Sequence, residues 1–165
     1  MQEVQAYSDN ELFDKLEKAI IMSIEDSAGE VRFVKCPLVH RFTKDMYSRE
    51  ITMPGGTCVI SERHVTENQF ILSQGIVSFW TEEDGEVTIC APFHGITKPG
   101  TKRALYIRPE GGDAIWTTFH STLHTTVEEV YNSLVEHYSN PYLQGKYRDN
   151  RFVPDELLLE KELNN

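Results

Sequence analysis

From Val31 to Phe119 the chain falls into short runs rich in Val, Ile, Thr, Phe and Trp, each closed by a turn signal. The runs are Val31–Lys35, Met46–Met53, Cys58–His64, Gln69–Leu72, Ile76–Thr81, Glu86–Cys90, Arg103–Arg108 and Asp113–Phe119. Between them stand Pro54-Gly55-Gly56, Ser73-Gln74-Gly75, Glu82-Glu83-Asp84-Gly85, Lys98-Pro99-Gly100 and Pro109-Glu110-Gly111-Gly112. Glycine gives a left-handed backbone and proline a fixed φ, so each cluster reverses the chain. Short strands at this spacing, with no helices between them, predict an all-β antiparallel sandwich or barrel and not alternating βαβ units.

Helices are expected on either side. Ser8 and Glu11 have the spacing of a capping box, and Leu12, Leu16, Ala19 and Ile20 recur at helical period, widened by Phe13 and Ile24. Ser27-Ala28-Gly29 stops that helix. Thr126 and Glu129 form a second capping box, followed by an apolar face of Val127, Val130, Tyr131, Leu134, Val135 and Tyr138 that ends at Asn140-Pro141. A short helix is expected from Pro154 to Leu159, with Leu157-Leu158-Leu159 docking on the barrel or a partner subunit. No repeat or linker divides the chain. The expected organisation is one domain: residues 1–30 a helical segment packing on the barrel, 31–122 the barrel, and 123–165 a helical extension.

Charge narrows the partners. The 165 residues carry 16 Lys and Arg against 26 Asp and Glu, a formal net charge of −10. An acidic chain is unsuited to general nucleic-acid binding or to anionic membranes, although a local basic pocket remains compatible. No apolar run reaches the ~18 residues of a membrane helix. The start Met1-Gln2-Glu3-Val4 has neither the basic nor the apolar region of a signal peptide. Cys36, Cys58 and Cys90 are odd in number and widely spaced, which suits reduced, buried thiols in the cytoplasm.

The segment from Pro54-Gly55-Gly56-Thr57 through Glu62, His64, Asn68 and Phe70-Ile71-Leu72 to Gly75 resembles the first cupin motif. Aligned on Gly75, His64 takes the second metal-binding His position, Glu62 stands where the first His would be, and Asn68 where the usual Glu would be. Lys98-Pro99-Gly100-Thr101-Lys102-Arg103 resembles a shortened second cupin motif, with Arg103 in place of its His. Over about residues 36–122 the chain also resembles a group of small phage and prophage cupin-like proteins. That likeness rests on Tyr47-Ser48-Arg49-Glu50-Ile51, Met53-Pro54-Gly55-Gly56-Thr57, Gly100-Thr101-Lys102-Arg103 and Trp116-Thr117-Thr118-Phe119-His120. The resemblance implies an RmlC-type jelly-roll barrel with flanking helices, a homodimer, and no particular reaction.

If His64 points into the barrel, strand alternation brings Glu62 with it. Arg49 shares parity with Ile51 and Met53, Arg103 with Leu105 and Ile107, and His120 with Trp116 and Thr118. The expected ligand-binding pocket therefore combines Arg49, Glu62, His64, Asn68 or Gln69, Arg103, Trp116 and His120. Tyr106 is added against its own parity, because sugar epimerases on the cupin barrel pair a His base with a Tyr acid, here His64 and Tyr106. Three functions follow. The first choice is metal-free binding of a small anionic, sugar-like or nucleotide-like molecule, with paired guanidiniums for phosphate or carboxylate and Trp116 as a stacking wall. For a phage protein, one version is sequestration of a host defence nucleotide. The alternative is a metal-dependent isomerase or oxygenase, with one divalent Zn, Fe, Mn or Ni on His64, Glu62 and His120. Arg103 opposes it, since a cation beside a dication is unfavourable. The third is a virion-associated structural or interaction protein with a satisfied polar interior. The plainer readings make His64 a hydrogen-bonded barrel residue, Arg103 a salt bridge to Glu50 or Glu62, and Trp116 core. His40, His94, His124 and His137 are scattered, and no nucleophile elbow, P-loop or dinucleotide fingerprint is present.

Overall fold

The computed structural model describes residues 9–28, 34–81 and 85–135. The chain divides into two units, Met1–Phe33 with Tyr138–Asn165, and Val34–His137. In the first, the expected helix forms as α1, Asp9–Asp26. Its buried positions are Phe13 and Asp14, while Leu12 and Leu16 of the expected stripe are exposed. Ser8, the expected cap, lies outside the described residues, as do His137, Tyr138 and the Pro154–Leu159 segment.

In the second unit the described strands are all antiparallel and form two sheets. They are β1 (Leu38–Thr43), β2 (Met46–Met53), β3 (Cys58–Ile60), β4 (Asn68–Gln74), β5 (Ile76–Thr81), β6 (Gly85–Cys90), β7 (Phe93–Thr97), β8 (Ala104–Ile107) and β9 (Ala114–Ser121). One sheet runs β1-β2-β9-β4-β7 and the other β3-β8-β5-β6. This is an all-β arrangement of two antiparallel sheets, with successive strands β4 and β5 assigned to opposite sheets. Gly75 joins them at φ +91°, and a Cβ there would meet the backbone of Ala114 at 2.8 Å, so the corner requires glycine.

Side chains alternating inward from the two sheets make one core. Met53, Phe70, Leu72, Ala114 and Trp116 come from the first, and Val77, Phe79, Ile89, Leu105 and Ile107 from the second. A second cluster joins Tyr47 of β2 to Val130 and Leu134 of α2, Val127–Leu134. The expected capping box starts α2: Glu129 N donates to Thr126 Oγ1 at 3.3 Å, and Thr126 N donates to Glu129 Oε2 at 3.2 Å. The helix ends on the segment after β3, where Val65 N donates to Leu134 O at 2.9 Å and His64 bridges to Val135.

Two expected strands change. Val34 and Lys35 are not in a strand, and the rest of Val31–Lys35 falls on residues 31–33, outside the description. The run Cys58–His64 is a strand only to Ile60; beyond Ser61 its backbone pairs with α2 instead of with a sheet neighbour. Two strands, β1 and β7, stand where the sequence reading had placed connections.

Candidate functional site

A cavity of about 180 Å³ opens between the sheets. Arg49, Ile51 and Met53 reach it from β2, and Trp116 and Thr118 from β9, as strand alternation requires. Leu105 enters from β8 and Val59 and Ile60 from β3, with Asn68 and Thr97 from the paired ends of β4 and β7. Ser61, Glu62, His64, Thr101 and Arg103 complete the lining from the two connecting segments. Glu62 and His64 thus share the cavity as expected, although neither is on a strand. Their segment is held by α2 on one side and by the 98–101 turn on the other, where Gly100 N donates to His64 O at 2.8 Å and the Arg63 guanidinium donates to Gly100 O.

The two arginines differ. Arg103 is built into the core. Its guanidinium carbon lies 5.3–5.9 Å from the ring centres of Phe70, Phe79 and Trp116, and Nη1 donates to Thr97 Oγ1 at 3.0 Å. Arg49 is half-buried, and among the described residues its guanidinium makes no hydrogen bond or ion pair; its backbone is paired within the sheet, and its carbonyl also accepts from Thr118 Oγ1 at 3.5 Å. Glu50 faces away and pairs with Arg41 at 3.3 Å, which removes it as the expected partner of Arg103.

His64 and His120 stack with ring centres 5.2 Å apart, and both Nδ1 atoms are buried without a hydrogen-bond partner. Burial, then the neighbouring His120 and the cations Arg49 and Arg103, hold His64 down to about 4. Burial and Arg49 hold His120 down to about 4. Both imidazoles are therefore neutral at pH 7, and a base so weak abstracts protons poorly there. Behind His120 lies Tyr47, with ring centres 6.0 Å apart, and Tyr47 Oη is 2.7 Å from His40 Nδ1.

Several expectations need correction. Tyr106 is 38 % exposed on the outer face of β8, beneath the Arg108 guanidinium, so no His64–Tyr106 acid–base pair forms. The alternation that turns Leu105 and Ile107 inward turns Tyr106 outward. Gln69 is likewise exposed, and its buried neighbour Asn68 takes the place offered to either. Trp116 lies in the core, stacked on Phe70 at 4.1 Å and 9°, so it is a packed floor and not an open stacking wall. Cys58 and Cys90 are exposed, against the expectation of buried thiols. The metal set does not assemble: among the described residues no three His, Cys, Asp or Glu side chains are placed to hold an ion. The nearly parallel imidazoles face each other beside two guanidiniums, and His64, Glu62 and His120 do not fit a divalent cation.

Sequence reasoning missed Ser61, Thr97 and Thr101. Thr118 was legible, since it shares the face of Trp116 and His120. Thr97 required the β4–β7 register, in which it stands opposite Asn68.

No family model matches the chain. No curated protein matches it either. Among solved structures, the cupin domain of Schizosaccharomyces pombe Cnp3 is similar with a TM-score of 0.46 and 13% identity, over 66% of this chain and 74% of that one. An uncharacterised Klebsiella pneumoniae protein with a double-stranded β-helix domain gives 0.47 and 15%, over 64% and 90%. A Bordetella pertussis cupin domain gives 0.45 and 13%, over 56% and 98%. These are likenesses of scaffold and carry no chemistry to this cavity. No helix among the described residues is long and apolar enough to cross a membrane.

Proposed function

We propose that the Val34–His137 unit is a binding module that takes a small anion into the cavity between its sheets. The observation that carries this reading is Arg49: a half-buried guanidinium lining a cavity with no hydrogen-bond or ion-pair partner among the described residues. A guanidinium that no protein group engages is free to make charge-assisted hydrogen bonds to an incoming anion. The neutral His64 adds a polar group without adding charge.

The size of the cavity refines the ligand. At about 180 Å³ it is smaller than the ~300–1,000 Å³ typical of drug-sized sites. It suits a small anion, or one group of a larger molecule such as a nucleotide, better than a whole nucleotide. We place the protein in the cytoplasm as a homodimer of the phage cupin-like type, on the sequence resemblance. Calorimetry with a panel of small anions, run on the protein and on Arg49→Gln, tests the reading. Binding that is lost in Arg49→Gln supports it; absence of binding by every anion overturns it and leaves the structural role as the reading to test.

A further inference from the structure

The cavity is lined by both polar and apolar side chains. Ile51, Met53, Val59, Leu105 and Trp116 give it walls that offer no hydrogen bond to a ligand, apart from whatever indole edge Trp116 presents. Much of its polar lining is already committed within the protein. Ser61 Oγ accepts from Arg103 N at 2.8 Å, Thr97 Oγ1 accepts from the Arg103 guanidinium at 3.0 Å, and Thr118 Oγ1 donates to Arg49 O. Glu62 and Arg103 both have partners of their own. The groups left for a ligand among the described residues are the guanidinium of Arg49 and the side chain of Asn68, whose Nδ2 and Oδ1 have no hydrogen-bond partner, with His64 also in the lining.

We infer that the ligand is a small amphiphilic carboxylate, with an apolar aromatic or branched aliphatic body against these walls and its carboxylate on Arg49. This rests on the anion reading of the same cavity and narrows it. A sugar phosphate would bring more hydroxyls than Asn68 and His64 can pair, and the others would face Ile51, Met53, Val59, Leu105 and Trp116 unpaired. A compact apolar body instead is stabilised by leaving water for the apolar part of the lining. One planar guanidinium also matches one carboxylate as a bidentate pair.

The test is calorimetry on the full chain with four probes: benzoate, isovalerate, benzyl alcohol as the neutral match of benzoate, and ribose 5-phosphate as a hydrophilic anion. Two variants accompany it, Arg49→Gln and Val59→Thr, the second placing a hydroxyl on the apolar wall at nearly unchanged volume. The inference expects benzoate or isovalerate to bind at least ~10-fold tighter than benzyl alcohol and ribose 5-phosphate. Arg49→Gln should weaken the carboxylate by about 10–150-fold, the worth of a charged hydrogen-bonded pair. Val59→Thr should weaken it by about 5–30-fold. If ribose 5-phosphate binds in an Arg49-dependent way and the carboxylates do not, the inference is overturned and the anion-binding function stands. If benzyl alcohol binds as well as benzoate, both fall; if no probe binds, the inference is overturned and the wider anion panel decides the function.

Discussion

The imidazoles of His64 and His120 lie face to face, 5.2 Å apart and within 13° of parallel, with the Arg49 charge acting on both. One ring comes from a connecting segment and the other from β9, so the stack joins the cavity wall to the centre of the larger sheet. Two neutral rings can share this place; two imidazolium ions there would repel each other and the arginine.

Their pH dependence follows. Both groups titrate near 6.5 when unfolded and at about 4 in the fold. Between those values the unfolded chain binds more protons, so the stability they contribute is present above 6.5 and is lost as pH falls towards 4. Urea denaturation at steps across this window should show the protein losing more stability than the His64→Gln/His120→Gln double variant. A stability difference that does not change with pH would show that the pair is not held neutral.

Arg49→Gln should leave stability within about 0.5 kcal/mol or raise it slightly, because the change removes a charge without a partner. The same variant should raise the pKa of both histidines, since Arg49 depresses each. Proton NMR titration of the imidazoles reads both; unmoved pKa values would mean that the guanidinium does not face them.

Arg103 should behave in the opposite way. Its charge sits among three aromatic rings and on Thr97. Arg103→Ala should cost about 2–4 kcal/mol in chemical denaturation, from lost cation–π contact and a lost charged hydrogen bond. A cost below about 0.5 kcal/mol would make it a surface-like residue and contradict the packing.

Gly95 lies opposite Phe70 across the β4–β7 pair, and a Cβ on it would overlap the Phe70 ring. Gly95→Ala should push that ring off Trp116 and cost about 1–3 kcal/mol, as overpacking does. The emission of Trp116 should shift at the same time, measured in a Trp80→Phe background; an unchanged spectrum with unchanged stability would count against the stack.

The strands with continuous β-branched and aromatic content were legible in the sequence. Met46–Met53 and Ile76–Thr81 form with the expected bounds. The connections assigned to β1 and β7 were misread for local reasons. β1 is a sheet edge with most of its side chains exposed, so Leu38–Thr43 lacks a buried alternation. Gly95 interrupts β7 and suggests a turn, yet the glycine is there to admit Phe70. The resemblance to the first cupin motif pointed to His64, parity pointed to Arg49 and Arg103, and parity also argued against Tyr106. What one chain's pattern does not carry is the register between strands. That register puts Tyr47 opposite His120, and with it the ring series from His40 to His64.

The hydrogen bonds around His64 carry a kinetic consequence. Val65 N is held by the last carbonyl of α2, Leu134 O, and His64 O by Gly100 N of the facing turn. Fraying of one short helix therefore loosens the wall that bears Glu62 and His64 while the two sheets stay paired. The amides of Val65 and Gly100 should exchange with solvent together, through an opening that costs less than global unfolding. Where that opening is the ligand's way out, residence time in the cavity is set by the helix, and the Thr126–Glu129 cap at its far end becomes a distant control on how long a ligand stays.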